Sequence, residues 1–176
     1  MPEITRIDAA ELAVHADGLA DLLAATVDGG ASVGFLAPLD HAAARAWWTA
    51  QAPAVADGGT LLWLARSGPR VTGTVSLRRG AMPNGRHRAE VAKLMVHPDA
   101  RGQGTARALL AAAEQHAAGA GITLLVLDSE TGSPAHRLYR DTGWTECGTV
   151  PDYAADATGT LRPTTYFYKR TRPCRP

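Results

Sequence analysis

The run Leu94-Met95-Val96-His97-Pro98-Asp99-Ala100-Arg101-Gly102-Gln103-Gly104-Thr105-Ala106 constrains this chain more than any other stretch of it. It reads as an apolar strand, a proline that stops the strand, a glycine-rich turn and the start of a helix whose face continues through Leu109, Leu110, Ala113 and Ala117. Such a turn aims several backbone N–H groups outward where the helix begins. Those unpaired amides and the positive end of the helix dipole together favour phosphate oxygens. Gly102 and Gly104 carry no Cβ, so a ligand can come close to the backbone. Arg101 can add a charge-assisted bond to the same anion. The stretch is expected to cradle a pyrophosphate. It is not the nucleotide-hydrolase loop, because Gly104 is followed by Thr105 and Ala106 with no lysine. Nor is it the dinucleotide fingerprint, because Arg107 stands where the third glycine is needed.

Around this centre the chain alternates strands and helices. A first strand runs from Ile4 to Ile7. Asp8 and Glu11 form a capping box for a helix whose stripe is Leu12, Leu19, Leu22, Leu23 and Val27, ending at Gly29-Gly30. After an apolar loop, Ala31 to Phe35, Asp40 caps a second helix with Ala44, Trp47, Trp48, Gln51 and Val55 on one face, ending at Gly58-Gly59. Thr60 to Arg66 and Val71 to Leu77 are strands joined by the turn residues Ser67-Gly68-Pro69, and Val71, Gly73, Val75 and Leu77 are expected on one face. A polar loop, Arg78 to Arg88, leads to the strand Ala89 to Val96. After the cradle helix, Ile122 to Leu127 reads as a strand buried on both sides. Ser133 and Pro134 start the next helix, and Gly143 ends it. Trp144 to Val150 and Thr164 to Lys169 are the last strands, separated by a long loop from Pro151 to Pro163. The order is β-α-α-β-β-β-α-β-α-β-β, an α/β (α+β) class chain with a mixed sheet and helices on both faces.

At 176 residues the chain fits one domain, read as residues 1–170 with a tail at 171–176. A net charge of +1 gives no electrostatic case for nucleic acid or a membrane surface. Cys147 and Cys174 make no metal pattern or disulfide framework, and the six histidines are scattered. The N-terminus lacks the form of a secretory signal, and no apolar run is long enough to span a bilayer. These features predict a soluble, cytoplasmic, metal-free protein, monomer or homodimer.

The pattern Arg101-x-x-Gly104-x-Ala106 behind Val96-x-Pro98 resembles the acetyl-coenzyme A loop of the GNAT N-acetyltransferase superfamily, and the element order resembles that fold from end to end. Ala135-His136-Arg137-Leu138-Tyr139, with Gly143-Trp144 behind it, resembles the family's Ala-x-x-Leu-Tyr-x-x-x-Gly-Phe signature. The resemblance implies a mixed sheet of about seven strands flanked by about four helices. It implies acetyl-CoA as acetyl donor, with Leu94, Met95 and Val96 holding the pantetheine arm by backbone bonds. Arg101, Gly102, Gln103, Gly104, Thr105, Ala106 and Arg107 would hold the pyrophosphate. Many members carry Asn or Ser where Gly132 stands here; Ser133 beside it can substitute. His15-Ala16-Asp17-Gly18-Leu19, Arg88-Ala89-Glu90-Val91-x-Lys93-Leu94-Met95-Val96, Asp128-x-Glu130-x-Gly132-Ser133 and Pro151-x-Tyr153 look like the tabtoxin-resistance acetyltransferase branch, which acetylates a small amino-acid toxin.

Acetyl transfer to an amine needs a base, donors for a developing oxyanion and a proton for the leaving thiolate. An alkyl amine with a pKa near ~10.4 is only about 0.04 % neutral at pH 7, which adds roughly 4–5 kcal/mol before attack. Glu90, in an otherwise apolar strand, is the leading base; alternation places it on one face with Ala92 and Leu94. It can equally be a solvated carboxylate or a partner for Arg88 or Lys93. Asp128, at the carboxyl end of its strand, is a second base or a turn former. Tyr139 is the acid suggested by the resemblance, or a packed core tyrosine. The acceptor is expected between the Gly29–Phe35 loop and the Pro151–Pro163 loop, touching Ser32, Phe35 and Tyr153. The acceptor class stays open between a small-molecule amine and a peptide N-terminus or lysine, for which Asp152 and Asp156 would supply an acidic groove. A non-catalytic acyl-coenzyme A sensor is the reading of another class.

Overall fold

The computed structural model describes residues 2–171, so the expected tail and Cys174 fall outside the described residues, Thr171 apart. The elements are β1 (Glu3–Ile7), α1 (Ala9–Asp28), α2 (His41–Thr49), the single turn α3 (Ala52–Ala56), β2 (Thr60–Ser67), β3 (Arg70–Arg79), β4 (Arg88–Val96), α4 (Thr105–Gly119), β5 (Leu124–Glu130), α5 (Pro134–Asp141), β6 (Thr145–Ala155) and β7 (Leu161–Arg170). The seven strands form one mixed sheet in the order β1-β2-β3-β4-β5-β7-β6; only β4 and β5 run parallel. Four helices of two turns or more flank it. Among the described residues no helix is long and apolar enough to cross a membrane.

Local chemistry accounts for the helix limits. At the head of α1, Glu11 N–H donates to Asp8 Oδ1 at 2.8 Å and Asp8 N–H donates to Glu11 Oε2 at 2.9 Å, the reciprocal bonds of a capping box. Leu12, Leu19, Leu22, Leu23 and Val27 are fully buried beneath it. The helix expected to run from Asp40 to Gly58 breaks at Ala50-Gln51 into α2 and α3. Pro53 is the reason: it has no N–H, and its ring would strike the carbonyl four residues earlier, that of Thr49. Trp48 still reaches the core.

Two apolar layers sandwich the sheet. Ile7, the α1 stripe, Trp48, Leu62, Leu64 and Met95 make one; Trp63, Val75, Leu77, Val91, Leu109, Leu110, Leu125 and Phe167 make the other, under α4 and α5. The alternation expected in β3 is broken. Val71 faces α1, whereas Val75 and Leu77 face α4. The register slips between Ala65↔Gly73 and Arg66↔Val71, so Thr72 is an extra residue that moves the chain to the other face.

Gly73 lets α4 approach β3. A Cβ there would stand 2.9 Å from Leu109 Cδ1 and 3.0 Å from the Met95 carbonyl oxygen. Gly73→Ala is expected to destabilise the fold by about 1–3 kcal/mol through overpacking, read as a lower urea midpoint. An unchanged midpoint would mean that α4 yields at no cost.

Candidate active site

The glycine turn forms the floor of a cavity of about 280 Å³, lined by Val96, Ala100, Arg101, Gly102, Gly104, Thr105, Ala106, Arg107 and Leu138. Gly102 (φ +75°) and Gly104 (φ +81°) are left-handed, a conformation that L side chains rarely adopt. A Cβ at either would meet no atom within 4 Å, so the room a side chain would fill stands open above the amides. Gly104 is the N-cap of α4 and no side chain caps the helix. The first N–H groups of α4, at Thr105, Ala106 and Arg107, are thus left for an anion. This is the arrangement a diphosphate requires. Arg101 Nε donates to the Val96 carbonyl at 3.2 Å, which holds the guanidinium at the cavity rim. Gln103 reaches back to the Asp99 carbonyl at 3.4 Å, and Arg107 lies 3.3 Å from Asp141.

β4 leads from this cavity to the candidate bases. Its parallel pairing with β5 runs only from Arg88↔Leu124 to Glu90↔Val126. Beyond Glu90 the two strands part. Leu94, Met95 and Val96 then keep their β3 neighbours, Thr74↔Met95 and Gly73↔Val96, while the edge toward β5 is unpaired. An unpaired strand edge presents N–H and C=O groups that an amide-bearing chain can match as a further strand would. A second bulge lies here. Between Thr74↔Met95 and Ser76↔Ala92, Lys93 and Leu94 oppose Val75 alone, and Lys93 has φ +51°. The bulge corrects the expected alternation: Leu94 and Val96 pack on the α4 layer with Ala89 and Val91, so Glu90 and Ala92 face the opposite side from Leu94. Met95 is buried in the α1 layer, leaving only its backbone near the cavity.

Glu90 and Asp128 share that opposite side. Leu125 and Leu127 of β5 point into the α4 layer, which turns Asp128 the other way. Glu90 Oε1 lies 3.9 Å from Arg78 Nη1 on β3. Asp128 is exposed at the end of β5, yet partial desolvation of its carboxyl raises its pKa above the ordinary carboxylate value, opposed by a backbone hydrogen bond and by the cation of Lys93. Opposite Asp128 in β7 stands Tyr166, whose hydroxyl donates to Tyr153 Oη at 2.7 Å. That hydrogen bond, followed by burial and the nearby negative charges, pushes Tyr166 up to about 12. Tyr139 is buried on α5, edge-on to Trp144 and tilted against Phe167. Burial first, and then the charge of Asp128, raise its pKa. Ser133 Oγ accepts from His136 N–H at 3.1 Å as the cap of α5 and lies 3.4 Å from Ser129 Oγ, so its acceptor role is local.

The chain just beyond the first expected acceptor loop reaches the second. Ala37 N–H donates to the Ala157 carbonyl at 2.8 Å, tying the segment after α1 to the β6–β7 hairpin. The long loop expected from Pro151 to Pro163 is mostly strand: β6 reaches Ala155 and β7 begins at Leu161. Tyr153 is exposed on β6; Ser32 and Phe35 are half-buried, and Phe35 stands edge-on to Trp47 at 5.5 Å. Asp156 accepts from Thr158, Thr160 and Arg162, which hold its carboxyl well below the usual range. The sequence places Lys93 only in the strand beside the pantetheine arm or as a partner for Glu90, and nothing in it singles out Arg78 or Tyr166 as site residues. Lys93 carried one signal, as one of two lysines among eighteen basic residues. Among the described residues no group of three or more His, Cys, Asp or Glu is placed to hold a metal ion.

Known proteins share this fold. Residues 30–144 match the acetyltransferase (GNAT) family. The chain is 36 % identical over 96 residues to N-acetyltransferase 8B of Rattus norvegicus, covering 53 % of this chain and 43 % of that protein, so it spans less than half the length of that relative. Two solved structures share the fold over nearly all of both chains. One is yncA of Salmonella typhimurium, solved with its cofactor acetyl-CoA, at 21 % identity and a TM-score of 0.76, covering 100 % of this chain and 97 % of that one. The other is a ribosomal-protein-alanine N-acetyltransferase of Brucella melitensis, at 22 % identity and a TM-score of 0.73, covering 96 % and 99 %. With the match spanning the cradle, the splayed β4 and the helix that carries Tyr139, this chain belongs to the GNAT acetyltransferase family.

Proposed function

We propose that this protein is a cytoplasmic, acetyl-CoA-dependent N-acetyltransferase, monomer or homodimer, that acetylates the amine of a small molecule, namely an amino-acid-like antibiotic or toxin of the kind handled by the tabtoxin-resistance branch. The observation that carries the reading is the placement of two carboxylates, Glu90 and Asp128, on one sheet face beside the open edge of β4. Acetyl-CoA supplies the acetyl group as a thioester. The amides from Gly102 to Arg107 bind and orient its diphosphate, and the open edge of β4 aligns the arm. Asp128 and Glu90 take the proton that an ammonium must lose before it can attack. At the Lys93 bulge, where β4 leaves the regular ladder, a backbone N–H is the candidate donor to the negative charge that develops on the carbonyl oxygen. Tyr139 stays protonated because its pKa is raised, and so serves as hydrogen-bond donor to the departing thiolate.

The peptide reading loses its support from Asp156, whose carboxylate is engaged by its own hairpin. The sensor reading has no use for the paired carboxylates. Coenzyme A release over a panel of small amines, alanine-led peptides and lysine peptides tests the proposal. Turnover of small amines is the expected result; turnover of peptides alone overturns it. Phe35→Ala is expected to raise the acceptor KM about 10-fold or more, from the ~1.5–3 kcal/mol that a buried phenylalanine contributes. The KM for acetyl-CoA should stay near the wild-type value. Equal effects on both constants would place the acceptor elsewhere.

A further inference from the structure

We infer that Lys93, with Arg78 beside it, anchors a carboxylate of the acceptor, so that the molecule acetylated carries a free carboxylate close to its amine. This rests on the small-amine reading above and narrows it.

The bulge of β4 is where the inference starts. Lys93 is its extra residue and holds a left-handed backbone, an arrangement that turns one side chain out of the regular pleat. Lys93 Nζ donates to the Val33 carbonyl at 2.6 Å. It also lies 5.4 Å from the centre of the Phe35 ring and 5.1 Å from that of Trp47, both within cation–π range. The ammonium is thereby fixed in the wall of the expected acceptor pocket. An ammonium has three N–H donors, and Val33 takes one. The other two have no acceptor among the described residues, and no carboxylate there comes within ion-pair distance of Nζ. Burial and then the charge of Arg78 lower the Lys93 pKa, and the more distant carboxylates of Glu90 and Asp128 only partly oppose this. A largely desolvated cation with unmatched donors calls for an anion.

Charge balance points the same way. Arg78 and Lys93 are positive and Glu90 and Asp128 negative; the other three all act on Lys93, and Arg78 lies 3.9 Å from Glu90. A cation without a carboxylate gains from one pair and is repelled by the other. A zwitterion satisfies both at once: its ammonium faces the carboxylates and its carboxylate faces Lys93 and Arg78. An amino-acid amide, a polyamine or a peptide N-terminus lacks the second half of this match. The residue type fits as well. The chain uses arginine nearly everywhere, yet position 93 holds lysine, whose compact head fits between two rings and a carbonyl.

The test compares matched acceptors. The common L-amino acids are assayed beside their primary carboxamides and their decarboxylated amines, by coenzyme A release, with wild type and Lys93→Met. Wild type is expected to favour at least one acid over its own amide by about 10–100-fold in kcat/KM, the effect of a hydrogen-bonded charge. In Lys93→Met that ratio should fall to near one. Release of the Val33 loop alone would raise KM for acid and amide together and leave the ratio intact, which counts against the inference. Wild-type turnover of amides or amines as good as that of every acid overturns it without touching the small-amine reading. Turnover of peptides alone ends both, and no turnover of any acid ends this one. The wild-type comparison stands even if Lys93→Met does not fold.

Discussion

Gly104→Val is expected to bind acetyl-CoA about 100-fold more weakly than wild type, or worse, while remaining folded. The expectation follows from where the new side chain must go. At φ +81° a Cβ points into the open cavity above the amides of α4, where it meets no protein atom within 4 Å. It therefore strikes nothing in the free protein and stands where the diphosphate must sit. Losing even one or two charge-assisted bonds of ~1.5–3 kcal/mol each accounts for a loss of that size. The left-handed backbone costs the valine about 1–2 kcal/mol, which a domain of ordinary stability tolerates. Gly121 supplies the control. It has φ +73°, has equally open surroundings and lies past the far end of α4. Gly121→Val carries similar strain, yet its acetyl-CoA affinity should match wild type. Calorimetric titration of both folded variants decides the matter. Equal losses in the two would trace the effect to strain, and no loss at Gly104 would mean that the diphosphate binds elsewhere.

The features that were legible beforehand are those written in local chemistry. Caps at Asp8, Asp40 and Ser133 and the glycines at 102 and 104 act within a few residues, so their meaning survives without the rest of the chain; the strand expected to be buried on both sides from Ile122 to Leu127 instead begins at Leu124 and fully buries only Leu125 and Leu127, because Leu124 and Val126 turn to the more open face. What escaped depends on partners distant in sequence. Strict alternation puts Val71 and Leu94 on the wrong face because a bulge shifts the period by one residue, and a bulge is a property of two strands together. Pro53 was visible, and its break in the second helix could have been read. The site divides in the same way. The cradle is one continuous segment and could be read as such. The acceptor side is assembled from β3, β4, β5, β7 and the loop after α1, and no spacing along the chain announces that Arg78, Lys93, Asp128 and Tyr166 meet. The β6–β7 hairpin looked like a loop because Asp152, Gly159 and the threonines are turn formers, yet cross-strand pairs such as Thr149↔Thr165 and the Asp156 turn hold it as sheet.

Asp128→Asn is expected to slow the chemical step by about 10²–10⁴-fold, the usual range for loss of a general base. Glu90→Gln should slow it less. The difference is physical. Glu90 faces the Arg78 guanidinium at 3.9 Å, whereas Asp128, though exposed, is desolvated enough at its carboxyl to hold a proton more readily than an ordinary carboxylate. A base acts in its deprotonated form, so the rate falls as pH drops through its pKa. The raised pKa of Asp128 places the acid limb of the wild-type profile above the ordinary carboxylate value of 3.8. In Asp128→Asn that limb should vanish. In Glu90→Gln it should persist, because Asp128 remains to take the proton. Tyr139→Phe should leave the limb where it is, since its hydroxyl stays protonated throughout. Single-turnover acetylation across pH for each variant separates these cases, with acetyl-CoA affinity measured alongside to show that the cradle is intact. If Glu90→Gln loses the limb and Asp128→Asn keeps it, Glu90 is the base and Asp128 serves another end.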